Sequence, residues 1–229
     1  PLIVDPVLIF STFIGGTGYD GALAVTTDSN GDIYVTGKTS STGFSTFATP
    51  TLNAGPRTNQ GDYELFVAKM NAAGTALQYV AIIGGNGDDV PDELALKNDI
   101  IAGDIWVTGF TTSTDFPTTA GSYHPDPFTT APFAFVFRLN ATGTALVYST
   151  YLDQVAYGTG IFVNDQAVAH IAVNVTHIAR VRILSADGST MLGIYGDFAN
   201  LKFNDLRPAN NSFCPTSCEV WVTGDDMGG

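Results

Sequence analysis

The chain has 229 residues, 45% of them hydrophobic and 14% charged, with 22 acidic against 9 basic side chains and a net charge of −13. It is too apolar for disorder and too poor in charge for a surface of Lys and Glu, so Thr, Ser, Gly and Asn must cover it. Its acidity disfavours a nucleic-acid duplex or an anionic membrane as partner, and without a run of about 18 apolar residues no membrane span is expected.

In chain order, position 1 is Pro and no signal peptide is evident, which reads as a processed chain or a fragment. Leu2-Ile3-Val4 could stand in for a strand missing before Leu8. Ile14-Gly15-Gly16-Thr17-Gly18 follows, then a turn at Asp28-Ser29-Asn30-Gly31, then the strand Asp32-Ile33-Tyr34-Val35-Thr36-Gly37 and the loop Thr39–Phe44. Four short alternating runs come next: Leu65–Met70, Ala76–Ile83, Glu93–Leu96 and Asp104–Gly109, with period-2 alternation and β-branched or aromatic residues that predict strands. The turn Asn71-Ala72-Ala73-Gly74 joins the first two, its glycine supplying positive φ.

These elements repeat. Phe66–Tyr79 returns 69 residues later as Phe135–Tyr148, identical at nine of fourteen positions, and a weaker copy spans Val181 to Leu192. Asp32–Gly37 returns as Asp104–Gly109 and Glu219–Gly224, with His170–Asn174 as the degenerate copy between. Ile14–Gly18 matches Ile83–Gly87, and Thr39–Phe44 matches Thr111–Phe116. A four-stranded antiparallel unit cannot bury its own face, whereas radial stacking of such units can. The fold expected is therefore all-β: a β-propeller of about four four-stranded antiparallel blades, closed or an open arc. It forms a single domain over 1–229, in units of about 1–64, 65–133, 134–179 and 180–229. No sustained helical period appears.

The pattern L-x-Y-S-T-Y-L-G-G-x-G-D-D, then I-A-V-D-x-x-G-x-[IV]-Y-V-T-G-x-T-x-S-x-D-F-P-T-T, then F-V-A-K-L-N-x-x-G, resembles the bacterial SBBP β-propeller repeat. It is carried by Leu8–Gly18, Leu23–Gly37, Phe66–Gly74, Leu77–Asp89, Ile105–Thr119 and Leu146–Leu152. The resemblance decays after residue 152, where Leu152-Asp153-Gln154 replaces Leu-Gly-Gly. It implies an extracellular or cell-surface propeller, usually part of a larger protein, and transfers no catalytic residue.

Candidate chemistry is sparse. The glycine-rich loops lack the following helix that a phosphate site needs. Asp88, Asp89 and Asp92 form the most plausible Ca²⁺ site, with Asp28/Asn30/Asp32 and Asp225-Asp226 as weaker clusters; each competes with a plain turn or solvated loop. Cys214 and Cys218 suggest a small local disulfide worth about 2 kcal/mol at most. Asn140, Asn174 and Asn210 head N-glycosylation sequons. His124, His170 and His177 are scattered, and Tyr34, Trp106 and Trp221 recur at one strand position, where packing outweighs a carbohydrate platform.

No catalytic motif and no cofactor beyond Ca²⁺ is indicated. The expectation is a secreted or cell-surface module with a structural or binding role toward protein or glycan, self-assembling into filaments if the N-terminal segment is donated as a strand to a neighbour. The alternatives are a glycan-active propeller enzyme, which requires a convergent carboxylate or histidine cluster at the axis, and a Ca²⁺-dependent adhesin.

Overall fold

The computed structural model describes residues 10–41, 51–54, 63–97, 103–208 and 220–226. Within them every regular element is a strand. They are β1 (Asp20–Thr27), β2 (Ile33–Thr39), β3 (Thr51–Ala54), β4 (Glu64–Met70), β5 (Leu77–Ile83), β6 (Asp89–Leu96), β7 (Ile105–Thr111) and β8 (Phe133–Leu139). The rest are β9 (Leu146–Gln154), β10 (Ala156–Val163), β11 (Ala169–Val175), β12 (Ile178–Leu184), β13 (Met191–Ala199), β14 (Leu201–Pro208) and β15 (Val220–Asp226).

The strands form propeller-like blades. β1-β2-β4-β5, β6-β7-β8-β9 and β10-β11-β12-β13 are antiparallel four-stranded sheets, and β14-β15 begin a fourth. An addition not anticipated from sequence is β3, which pairs parallel to β5 at the outer edge of the first blade. The first strand of each blade packs on the blade before it: β6 on β1 and β2, β10 on β6 and β7, β14 on β10 and β11. Among the described residues no comparable contact links β14 back to β1.

The blades are cut half a unit out of phase with the sequence units. The unit near 65–133 supplies the last two strands of the first blade and the first two of the second. The reason is that the most legible motif, Phe-Val to Gly-Thr-Ala-Leu, is the outer hairpin of a blade rather than its beginning.

Alternation along the strands between two blades, such as β7, β8 and β11, buries both faces, one toward each neighbouring blade. Tyr34, Leu65, Val67, Tyr79, Ala81 and Ile83 join Leu94, Ile105, Phe135 and Phe137 in the seam between the first and second blades. Trp106, Val136 and Tyr148 join Ile161, Ile171 and Val173 in the next. Outer hairpins are pinned the same way. Gly74, Gly143 and Gly188 take φ of 66°, 68° and 72° and lie under the rings of Phe10, Tyr79 and Tyr148 respectively. A side chain at any of the three would enter the ring.

Candidate functional site

Every inner strand carries a β-bulge at one register position. The residues at which the register shifts are Leu23 in β1, Asp92 in β6, Thr159 in β10 and Asn204 in β14. A bulge bends the strand and re-aims its extra side chain. Three of these four residues line one cavity of about 600 Å³, bounded by the first halves of β6, β10 and β14 with Phe110 of β7 and Asn174 of β11. Its walls are largely apolar, and Phe110 and Tyr157 meet there edge to face, ring centres 4.9 Å apart.

Asp92 faces this cavity. Its side chain is exposed to the cavity itself, yet the surrounding walls withhold enough water to push its carboxyl up to about 6, against the pull of Lys202. One residue along β6, Glu93 turns to the next blade, accepting from Ile161 N–H at 3.0 Å and from Arg207 Nη1 at 2.7 Å. Arg207 also reaches Asp205 at 3.2 Å. Burial raises the Glu93 carboxyl, and the Arg207 bond opposes that rise. Asn174 spans the third and fourth blades, donating to Phe203 O at 2.7 Å and accepting from Phe203 N–H at 2.8 Å, while Thr159 Oγ1 donates to the same carbonyl.

The acidic triad expected to bind Ca²⁺ does not assemble. Among the described residues no group of three or more His, Cys, Asp and Glu side chains comes together to hold a metal. Asp89 is fully buried and accepts from Gly85 N–H at 2.7 Å, Thr111 Oγ1 at 2.5 Å and Ser113 Oγ at 3.0 Å. Asp88 accepts from Tyr63 N–H. The staple recurs in the first blade, where Asp20 accepts from Gly16 N–H, Thr39 and Ser41. It explains two repeats that look unrelated in sequence: the Gly-Gly loop and the Thr-x-Ser loop are held by one aspartate. Asp28 caps the turn to Asn30 and Asp32 through their N–H groups, and Lys69 sits 3.7 Å from Asp28 and 3.1 Å from Asp32.

Other sequence candidates resolve as structure. Tyr34 and Trp106 are buried, under Lys69 and Arg138, so they form no exposed platform. Asn140 folds its side chain over its own turn, accepting from Thr144 and Ala145 N–H. The Asn174 amide nitrogen that a glycan would need is committed to Phe203. Cys214, Cys218 and Asn210 lie outside the described residues, and nothing is described of the side chains of Trp221, Asp225 and Asp226. His124 stacks on Phe128, ring centres 3.9 Å apart.

His170 is buried, its Nε2 without a hydrogen-bond partner, and burial holds its pKa down at about 4. The unfolded chain binds this proton more tightly than the native state does. The stability this group contributes is full above about pH 6.5 and is lost as pH falls from there toward 4. His170→Gln should therefore flatten the acid side of the stability profile relative to the parent, read as the difference in urea midpoint between pH 7 and pH 4.5. An unchanged difference would mean that His170 gains a proton acceptor in the native state.

The repeat itself now has its geometry: an inner bulged strand, a Thr-Gly second strand and an outer hairpin capped by a neighbour's aromatic. Residues 9–45 match the model of the SBBP beta-propeller repeat. The SBBP match covers the Gly-Gly loop, β1, β2 and the Thr-x-Ser loop, so it includes the Asp20 staple and the Leu23 bulge. No curated protein matches the chain. No helix among the described residues is long and apolar enough to cross a membrane.

Proposed function

We propose that the chain is an extracellular or cell-surface propeller module with a structural or binding role, completed by strand exchange between copies. One observation carries this reading. Val25, Leu94, Ile161 and Leu206 occupy the same place on the four inner strands, where each faces the preceding blade. The last three are 5%, 1% and 0% exposed, whereas Val25 is 67% exposed.

Phe10 lies on Gly74 as Tyr79 lies on Gly143, so residues 10–13, which form no strand here, hold the place that the outermost strand takes in the later blades. Phe13 there is 98% exposed, while its counterparts Ile82 and Tyr151 are 4% and 1% exposed. Residues 10–13 offer a last strand, and β14-β15 offer a first and second. Joined between copies they complement one another head to tail, a heterologous contact that propagates. Burying Val25 and Phe13 would each contribute roughly 1.5–3 kcal/mol. A surface of Thr, Ser and Asn with few charges suits an exported protein.

Light scattering over a concentration series tests this. Association that grows with concentration and is lost in Phe13→Asp/Val25→Glu is the expected result. A monodisperse 24.1 kDa particle throughout would instead mean that the chain completes its own ring.

A further inference from the structure

We infer that the cavity between β6, β10 and β14 binds a small amphipathic organic cation, its ammonium group paired with Asp92 and its apolar body held against Phe110 and Tyr157. A cavity of about 600 Å³ lies within the roughly 300–1,000 Å³ typical of small-ligand sites, which likewise combine apolar walls with a few convergent polar groups.

The choice of ligand follows from which polar groups are still available. Asn174 spends both ends of its amide on Phe203, and Thr159 spends its hydroxyl proton on the same residue. A sugar, which needs several uncommitted hydrogen-bonding partners, finds few. Asp92 is acted on by desolvation and by Lys202 at a distance, with no hydrogen bond moving its carboxyl. A ligand N–H donor supplies what the protein does not. Of the four bulge positions only the second blade's carries a charge, the others being Leu23, Thr159 and Asn204.

The charged side chains that line the cavity are Asp92 and Lys202; Glu93 and Asp205, which share Arg207, lie outside the lining and together with it add one net negative charge nearby. Lys202 is exposed, on a flexible and well-hydrated stem. It competes with the ligand for Asp92 and weakens binding without blocking it. Partial desolvation by the cavity walls lifts the Asp92 carboxyl to about 6. The cation needs the ionised form, so affinity is full above that pH and falls by up to tenfold per unit below it.

The test is calorimetric titration of the whole chain with phenethylammonium, 2-phenylethanol and 3-phenylpropionate at pH 7.5 and pH 5. The expected order is ammonium, then alcohol, then carboxylate, with ammonium affinity dropping about tenfold at pH 5. Asp92→Asn should weaken the ammonium at least tenfold and leave the alcohol unchanged; Lys202→Gln should tighten the ammonium a few-fold. Equal affinity for the three probes, no binding of the ammonium, or full affinity in a folded Asp92→Asn would each overturn the assignment. So would an oligosaccharide that occupies the cavity while the ammonium does not.

Discussion

Asp89→Ala should lower the unfolding free energy by about 3 kcal/mol, because it strands three donors at once. Thr111 Oγ1 already accepts from Ser113 N–H, and Ser113 Oγ from Gly87 N–H, so the hydroxyl protons of both are directed at Asp89. With the carboxylate gone they have no acceptor in a site closed to water. The loss is limited because the carboxylate is itself costly to bury: desolvation lifts it to about 7 despite its three donors. The native state thus binds this proton more tightly than the unfolded chain does. The group's contribution is greatest below about pH 4 and falls as pH rises through 7, so the penalty of Asp89→Ala should be larger at pH 5 than at pH 8.

The protein contains its own control. At the register positions of Asp89 and Thr111 the third blade has Ala156 and Val175. Adding Thr111→Val and Ser113→Ala to Asp89→Ala should therefore recover at least half of the loss, since an apolar pair strands nothing. Urea unfolding of parent, single and triple variants reads this directly. A triple variant no better than the single would mean that the Gly85 N–H bond, which it does not repair, dominates.

Gly109→Val should be worse, at about 3–5 kcal/mol or failure to fold. A Cβ built at Gly109 lies 2.1 Å from Val90 O and 2.7 Å from Pro91 Cα, and at Gly37 it lies 2.0 Å from Gly21 O. The bulged inner strand presses its backbone onto the second strand there, and both contacts are main chain, which cannot swing aside. The third blade solves the same problem in reverse, with Val173 opposite Gly158. Pro91→Gly frees the preceding carbonyl to rotate and should restore part of the loss in Gly109→Val. Thermal unfolding of the three variants separates this from a general intolerance of bulk, which the double variant would not relieve.

These two sites mark where sequence reading ran out. The hairpins at Asn71–Gly74 and Asn140–Gly143 were legible because turn chemistry is local. The strands around them were legible because alternation is local too. The staple was not. Asp89 meets Thr111 and Ser113 across more than twenty residues, and an acidic pair after a glycine loop reads equally well as a cation site. One signal was available: the Gly-Gly loop and the Thr-x-Ser loop are both present in the first two repeats and both absent from the third. The cavity gave less warning still. Asp92, Thr159 and Asn204 share no chemistry, and only strand register shows that they occupy one position.

The half-blade offset of the repeat bears on how such a chain lengthens. A copied unit of this kind carries the outer hairpin of one blade and the inner hairpin of the next, hence both sides of the seam between them. The aromatic ring and the glycine turn it covers lie one unit apart, so an inserted copy receives a ring from its predecessor and hands one to its successor. Duplication or deletion of a whole unit leaves every remaining seam matched. Blade number is thereby free to drift in inheritance while the contacts between blades stay constant, and only the two terminal half-blades remain to be reconciled.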